Sequence, residues 1–168
     1  MKLSKGFAPL AGHGAHTLIL GSMPGVASLD AQQYYAFPQN AFWKIMGDLF
    51  DAGPQLDYRE RLEKLLKNRI ALWDVIAACH RTGSLDSAIR ESDLSTNDFT
   101  TFLQQYPDIN RICFNGQKAA KLFMKRVHPD LDGQYQYITL PSTSPAHASK
   151  SYAQKLEEWS VITTGRPA

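Results

Sequence analysis

Four short apolar runs punctuate the chain, and each stops at a polar, glycine or proline break. They are Leu18–Leu20 before Gly21, Ile70–Val75 around Asp74, Ile112–Phe114 before Asn115-Gly116, and Tyr137–Leu140 before Pro141. Runs of this length, bounded by turn residues, read as buried strands. They predict strands over about 16–20, 70–75, 111–114 and 137–140. Between them the apolar positions recur at helical spacing. One helix is predicted over about 40–51, ending near Asp51-Ala52-Gly53-Pro54, and another over 57–67 with Leu62, Leu65 and Leu66 on one face. A third, capped within Ser95–Asp98, covers about 96–105, and a fourth, opened by Gly116, covers about 117–127. The last spans 149–161 and is amphipathic through Tyr152, Leu156 and Trp159. Residues 1–14 read as an irregular arm, Cys79–Ser84 as a polar loop, and the tail from Thr163 as frayed. Strand and helix alternate without repeats, low-complexity segments or a linker. That predicts one α/β domain over 1–168 with a mostly parallel sheet.

In such a sheet Gly21, Asp74, Asn115 and Pro141 fall at the carboxyl ends of strands, on the edge where open α/β sheets bind ligands. The segment from 21 to 39 is a long loop for a compact domain, and such loops are usually functional. It carries an aromatic cluster, Tyr34, Tyr35 and Phe37, before Pro38-Gln39-Asn40 leads into Phe42-Trp43. Flat aromatic faces beside a glycine-bearing loop and a helix start suit a planar heterocycle next to phosphates. The alternative is an ordinary connection with its aromatics in the core.

Composition narrows the class. Apolar residues make up 43% of the 168, enough for a core without staples. Cys79 and Cys113 have no metal-ligand spacing and read as two reduced structural thiols. His13 reads as a loop histidine, a ligand being the alternative. A formal charge of +2 is not that of a strongly basic DNA-binding protein. Lys118, Lys121, Lys125, Arg126 and His128 do cluster around one predicted helix, either as a solvated face or as a phosphate contact. The short basic start lacks a long apolar core, and no run is long enough to span a membrane. A cytoplasmic chain is expected.

The motifs carry a resemblance. Gly21-Ser22-Met23-Pro24-Gly25, then Tyr35-Ala36-Phe37-Pro38-Gln39-Asn40-Ala41-Phe42-Trp43, resembles the first motif of the uracil-DNA glycosylase superfamily. Leu140-Pro141-Ser142-Thr143-Ser144-Pro145-Ala146-His147 is similar to its second motif, a turn that enters the DNA minor groove. Phe114-Asn115-Gly116-Gln117-Lys118 is similar to a strand end of the mismatch-specific branch. The matches cover 17–148 in the family's order. One departure is informative. The superfamily usually keeps a catalytic Asn or Asp in the first loop, where this chain has Met23, and a thioether neither positions nor deprotonates water. The whole pattern looks most like the hypoxanthine-DNA glycosylases (DNA-deoxyinosine glycosylases), which use the downstream Asn, here Asn40.

The resemblance implies a three-layer α/β/α sandwich around four parallel strands. It also implies a monofunctional glycosylase of base excision repair. Such an enzyme flips a deaminated base out of DNA and hydrolyses its N-glycosidic bond, acting as a monomer with no cofactor and no metal. By position, Asn40 would place the water, an N-cap being the alternative, and Ser142 stands where relatives stabilise the departing base. Gly21, Ser22, Met23, Tyr35, Phe37 and Asn115 would line the base pocket, with Tyr35 stacking on the base. Asp74, at the place where uracil-specific relatives read the base edge, would accept the ring N–H of hypoxanthine; a capping or ion-paired Asp is the alternative. The turn from Ser142 to His147, with Ser144, Pro145, Ala146 and His147 on the DNA, would pinch the backbone, and Lys118 and Lys150 would touch phosphates. The family's wedge residue, often Leu, falls on Ala146, which is too small to fill a vacated base site, so His147 takes over or the wedge is weak. Three other readings stay open: uracil, thymine-mismatch or xanthine excision; a catalytically inactive nucleobase- or DNA-binding module; and a hydrolase of free nucleosides, which the minor-groove turn disfavours.

Overall fold

The computed structural model describes residues 3–164. Its centre is a four-stranded sheet of β2 (Thr17–Gly21), β3 (Ile70–Asp74), β6 (Arg111–Asn115) and β7 (Gln136–Leu140), in the order β3-β2-β6-β7. All three pairings are parallel. Every residue of β2, β3 and β6 is buried, because helices cover both faces.

Side-chain parity sorts the core into two layers. Ile19, Ile70, Leu72 and Cys113 point to one face, where they meet α2 (Phe42–Phe50), α3 (Tyr58–Lys67) and α6 (Tyr152–Trp159) through Phe42, Ile45, Leu65 and Trp159. Leu18, Leu20, Ala71, Trp73, Ile112 and Phe114 point to the other, against α4 (Phe99–Gln105) and α5 (Gln117–Arg126). The result is the expected three-layer α/β/α sandwich. Cys79 and Cys113 are free and buried, and burial pushes the Cys113 thiol up to about 12. Among the described residues no helix is long and apolar enough to cross a membrane.

Several elements differ from the sequence reading. The N-terminal arm contributes β1 (Leu3–Lys5), which pairs antiparallel with β4 (Ile76–His80), and β4 pairs with β5 (Ser95–Thr96). This second, antiparallel sheet takes in Cys79 and His80, which belong to a strand and not to a loop. Only Val75 separates β3 from β4, so one extended stretch serves both sheets. The arm also bridges Leu10 to Leu72, covering the exposed edge of β3. The loop after β2 holds a short helix, α1 (Val26–Ala31).

Helix starts shift as well. α2 begins at Phe42 behind Ala41, α4 at Phe99 with Asp98 as its cap, and α6 at Tyr152 behind a Ser151–Gln154 capping box. After α6 the chain makes a 3-10 turn, Ser160–Thr163, with Ile162 buried, so Thr163 is bonded and not frayed; the rest of that tail, 165–168, lies outside the described residues.

Candidate active site

The register of the sheet brings the four strand ends level. Gly21 pairs with Asp74, Leu20 with Phe114, and Asn115 with Leu140. Above them opens a cleft of about 740 Å³, within the size range of small-molecule sites. Gly21, Ser22, Met23, Tyr35, Phe37, Asn40, Asp74, Asn115 and Ser142 all line it, as do Ser144, Pro145, Ala146, His147 and Lys150. Of the residues expected to form the base pocket, the catalytic pair or the DNA contact, Lys118 alone is not in the wall; the other cations of its helix and His13 are outside it too. The Lys118 ammonium sits 2.8 Å from Glu91 Oε2, and Arg126 donates to the Glu91 carbonyl at 2.6 Å, so this part of the basic helix face holds a neighbouring turn.

The floor is built around Asp74, which is 4% exposed. Its Oδ2 is enclosed and has no hydrogen-bond partner. Its Oδ1 lies against Gly21: a Cβ there would stand 2.6 Å from that oxygen and 3.0 Å from the Tyr35 hydroxyl, so only glycine lets the three meet. Burial, and then the negative charge of Asp86, push the Asp74 carboxyl up to about 7, with Arg81 pulling the other way. The Tyr35 hydroxyl is enclosed beside Asp74 and Asn115 without a hydrogen bond of good geometry. Burial and Asp74 raise it well above the ordinary phenol range. Tyr35 also has a left-handed backbone, φ 55°. That conformation is uncommon for a bulky residue, costs about 1–3 kcal/mol and clusters at functional sites. Its ring stacks on Phe42 at 4.0 Å between centroids.

Asn40 sits at the mouth of α2. Its backbone N–H donates to the Phe37 carbonyl at 2.9 Å, and its Oδ1 accepts from the Phe42 N–H at 2.9 Å. The amide is thereby fixed in orientation, and its oxygen keeps a second lone pair for another donor.

The opposite wall, from Pro141 to His147, is held from several directions. The Asn115 amide exchanges two bonds with Thr143: Asn115 Nδ2 donates to Thr143 Oγ1 and Thr143 N–H donates to Asn115 Oδ1, both at 2.9 Å. Ala41 N–H donates to the Thr143 carbonyl at 3.0 Å, and Trp159 Nε1 to the Pro141 carbonyl at 2.9 Å. Lys155 reaches the Ser144 carbonyl at 3.4 Å, its ammonium lowered in pKa by burial. Ser142 Oγ accepts from the Ser144 N–H at 3.2 Å, which leaves its proton for donation. Lys150 pairs with Glu158 at 2.5 Å, and His147 Nε2 lies 3.4 Å from Ser149 Oγ.

Four participants were not singled out by the sequence. Asp86 Oδ1 accepts from Ser22 Oγ at 2.5 Å and brings a second carboxylate to the cleft. Arg81, 5% exposed, donates to the Pro24 carbonyl and, at 3.3 Å, to the Ser84 carbonyl. Thr143 and Lys155 brace the far wall. Each acts through a contact distant in sequence, so spacing alone could not find it. Among the described residues no group of three or more His, Cys, Asp or Glu side chains is arranged to hold a metal.

Comparison with known proteins fits this geometry. Residues 10–162 match the family model of the uracil DNA glycosylase superfamily. A hypoxanthine DNA glycosylase of Methanosarcina acetivorans is 36% identical over 162 residues, covering 95% of this chain and 98% of its own. A protein of the same name from Methanosarcina barkeri is 36% identical over 118 residues, 70% of this chain and 73% of its own. A solution structure from Methanosarcina acetivorans, of a protein named as a candidate uracil DNA glycosylase, superposes with a TM-score of 0.80 at 35% identity, covering 96% and 98% of the two chains. With a match of this extent, the chain belongs to the uracil DNA glycosylase superfamily.

Proposed function

We propose that this protein is a monofunctional DNA glycosylase that removes hypoxanthine from DNA. The glycosidic bond of a paired base is out of reach inside the duplex, so the nucleotide must turn out of the stack and enter the cleft. The observation that carries the choice of base is the unpartnered, buried carboxylate oxygen of Asp74 on the cleft floor. Hypoxanthine offers a ring N–H beside a carbonyl, and an ionised carboxylate accepts from that N–H. Adenine has a lone pair at the same ring position, which faces the carboxylate unfavourably.

The remaining tasks fall to named side chains. Tyr35, backed by Phe42, stacks on the base, an interaction worth roughly 1–3 kcal/mol per base. Asn40 accepts a hydrogen bond from the attacking water and orients it toward the sugar carbon. An amide is no base at neutral pH, so catalysis rests on stabilising the leaving base, with the Ser142 hydroxyl as a donor. Met23 makes soft apolar contact with the purine. The 144–147 turn and Lys150 meet the backbone on either side of the turned-out nucleotide. The names of the relatives support hypoxanthine. Uracil is the second reading, because it too places a ring N–H beside a carbonyl and matches Asp74.

The test is excision from oligonucleotides carrying hypoxanthine, uracil or xanthine opposite each base, read as alkali-sensitive strand cleavage. Cleavage at hypoxanthine that exceeds the others supports the assignment. Faster cleavage at uracil moves the chain to the second reading, and no cleavage at any base leaves a binding module.

A further inference from the structure

Ala146, on the turn that resembles the family's minor-groove motif, carries a single methyl and cannot fill the space of a base. Another element brings a larger side chain to the same cleft. The loop that follows β4 presents Leu85 at the mouth, 57% exposed, more than any other large apolar side chain among the described residues; Val26 and Phe37 follow at 46%.

An isolated exposed leucine is ordinary. This one is held in place. On its amino side, Ser84 Oγ accepts from the Val26 N–H at 2.8 Å, and the Ser84 carbonyl accepts from Arg81. On its carboxyl side, Asp86 Oδ1 accepts from Ser22 Oγ at 2.5 Å. Arg81 itself is buried and also donates to the Pro24 carbonyl. The backbone is therefore tied to the first-motif loop on both sides of Leu85, while its side chain projects into solvent beside a cleft sized for a base. A leucine held this way is pre-positioned to enter something apolar and flat. Leucine is among the side chains that proteins insert between base steps, where it opens the stack.

We propose that Leu85 is the wedge: it enters the base stack and occupies the gap left by the turned-out nucleotide, in place of the residue at Ala146. This role presupposes the glycosylase activity proposed above. It also predicts where Leu85 matters. A wedge is needed when the base must be extracted from a paired stack and is superfluous when the strand is single.

The experiment compares single-turnover excision of hypoxanthine from a duplex and from the same strand unpaired, for wild type, Leu85→Ala and Leu85→Met. Leu85→Ala is expected to lose about tenfold or more on the duplex and to stay within about twofold on the single strand. Leu85→Met, of similar volume, should recover most of the duplex rate. The side chain is exposed, so melting temperature should not move. An equal loss on both substrates, or no loss on the duplex, overturns the wedge. Wild type that cuts neither substrate removes the glycosylase reading and the wedge together. Wild type that cuts both, with Leu85→Ala indistinguishable from it, removes only the wedge.

Discussion

The two walls of the cleft differ in how their polar groups are treated. From Pro141 to Ser144 the far wall is tied down: the Asn115–Thr143 exchange, the Trp159 and Lys155 contacts, and the Ala41 N–H satisfy it from three other elements. On the floor, Asp74 Oδ2 and the Tyr35 hydroxyl are enclosed and left without partners. Buried polar groups are normally paired, and an unpaired one costs about 1–3 kcal/mol. A wall that is satisfied is scaffold. On the proposed function, the floor that is not is completed by the base that binds to it. The difference also separates two kinds of variant: those that remove chemistry from the floor and its rim, and those that loosen the wall.

The largest effect belongs to Asn40, which stands where the two meet. Asn40→Ala removes both the amide proposed to orient the water and the Oδ1 contact to the Phe42 N–H. Single-turnover excision should fall at least about 100-fold, the lower range for positioned groups in acid–base and water chemistry. Loss of the contact at the helix start should cost roughly 1 kcal/mol of stability, with DNA binding little changed. A near-normal rate would mean that the water is placed by another group, and Asp86 would be the next to test.

Asp74 comes second. Asp74→Ala leaves the base edge unpaired at a cost of about 1–3 kcal/mol, roughly 5- to 150-fold in rate. Asp74→Asn, which can turn its amide oxygen to the ring N–H, should keep part of the activity. The pH profile sharpens the assignment. In the proposed role the ionised form is the acceptor, and the carboxyl is raised to about 7. kcat/KM should therefore rise with pH through about 7 and fall below it, and Asp74→Asn should flatten that limb. Asp86, Arg81 and the Tyr34 and Tyr35 hydroxyls are the titratable or charged groups that face it.

Stability should move the opposite way. The folded protein holds this proton at pH values where the unfolded chain, with an ordinary Asp, has released it. Stability from Asp74 is therefore fully present below about pH 4 and is lost as pH rises through about 7. Each unit of separation corresponds to roughly 1.4 kcal/mol. Urea unfolding of wild type and Asp74→Asn across this range checks the sign: the variant should gain on wild type as pH rises. If neither rate nor stability responds, Asp74 is only a structural carboxylate.

The contrast between the walls bears on what the sequence could reveal. β2, β3 and β6 were legible because a strand buried on both faces is mostly apolar, and Gly21, Asp74 and Asn115, though buried themselves, are the glycine or polar breaks that interrupt each run. The cleft edge followed from that. The antiparallel sheet was not legible. β4 is Ile76-Ala77-Ala78-Cys79-His80, with no clean alternation, and its partner Leu3–Lys5 lies far from it in sequence, near the N-terminus. α1 is a short helix placed directly after Pro24-Gly25, where a turn is the natural reading. At the site, Asp74 could be placed because it ends a readable strand, and Tyr35 because it stands in the motif that carries the resemblance. Whether Asn115 faces a base or braces a loop depends on Thr143, which nothing in the local pattern singles out. Arg81 reads as a loop cation, and only the fold buries it against the Pro24 carbonyl.

Loosening the wall should affect stability more than chemistry. Asn115→Ala removes both bonds to Thr143 and leaves a buried N–H and hydroxyl unpaired. About 1–3 kcal/mol of stability should be lost, seen as a lower urea midpoint with unchanged slope. Excision at matched folded concentration should fall less than for Asp74→Ala, and its pH profile should keep the wild-type shape. A loss as large as that of Asn40→Ala would show that the Asn115 amide touches the base directly.

The smallest effect on turnover is expected at Met23, at the first-loop position where the resemblance to the superfamily at large implies a polar catalytic group. Met23 is 7% exposed and packs in the same apolar cluster as Trp73 and Phe99, so its side chain belongs partly to the core and partly to the cleft wall. Truncation should show in stability first: Met→Ala in a core costs about 2–5 kcal/mol. The rate at matched folded concentration should fall only a few-fold, because what is removed is apolar contact with the base, and neither the water nor the base edge loses its partner. Met23→Leu, a volume-conserving exchange, should restore most of the stability and most of the rate. Met23→Asn puts a donor and an acceptor back into the first loop, and a gain in uracil excision is the outcome to look for. The decisive comparison is Met23→Ala with Asn40→Ala on hypoxanthine in one single-turnover series. If the two are equally inactive while Met23→Ala remains folded, the chemistry is centred on the first loop, and the division between an unsatisfied floor and a scaffolding wall has been drawn in the wrong place.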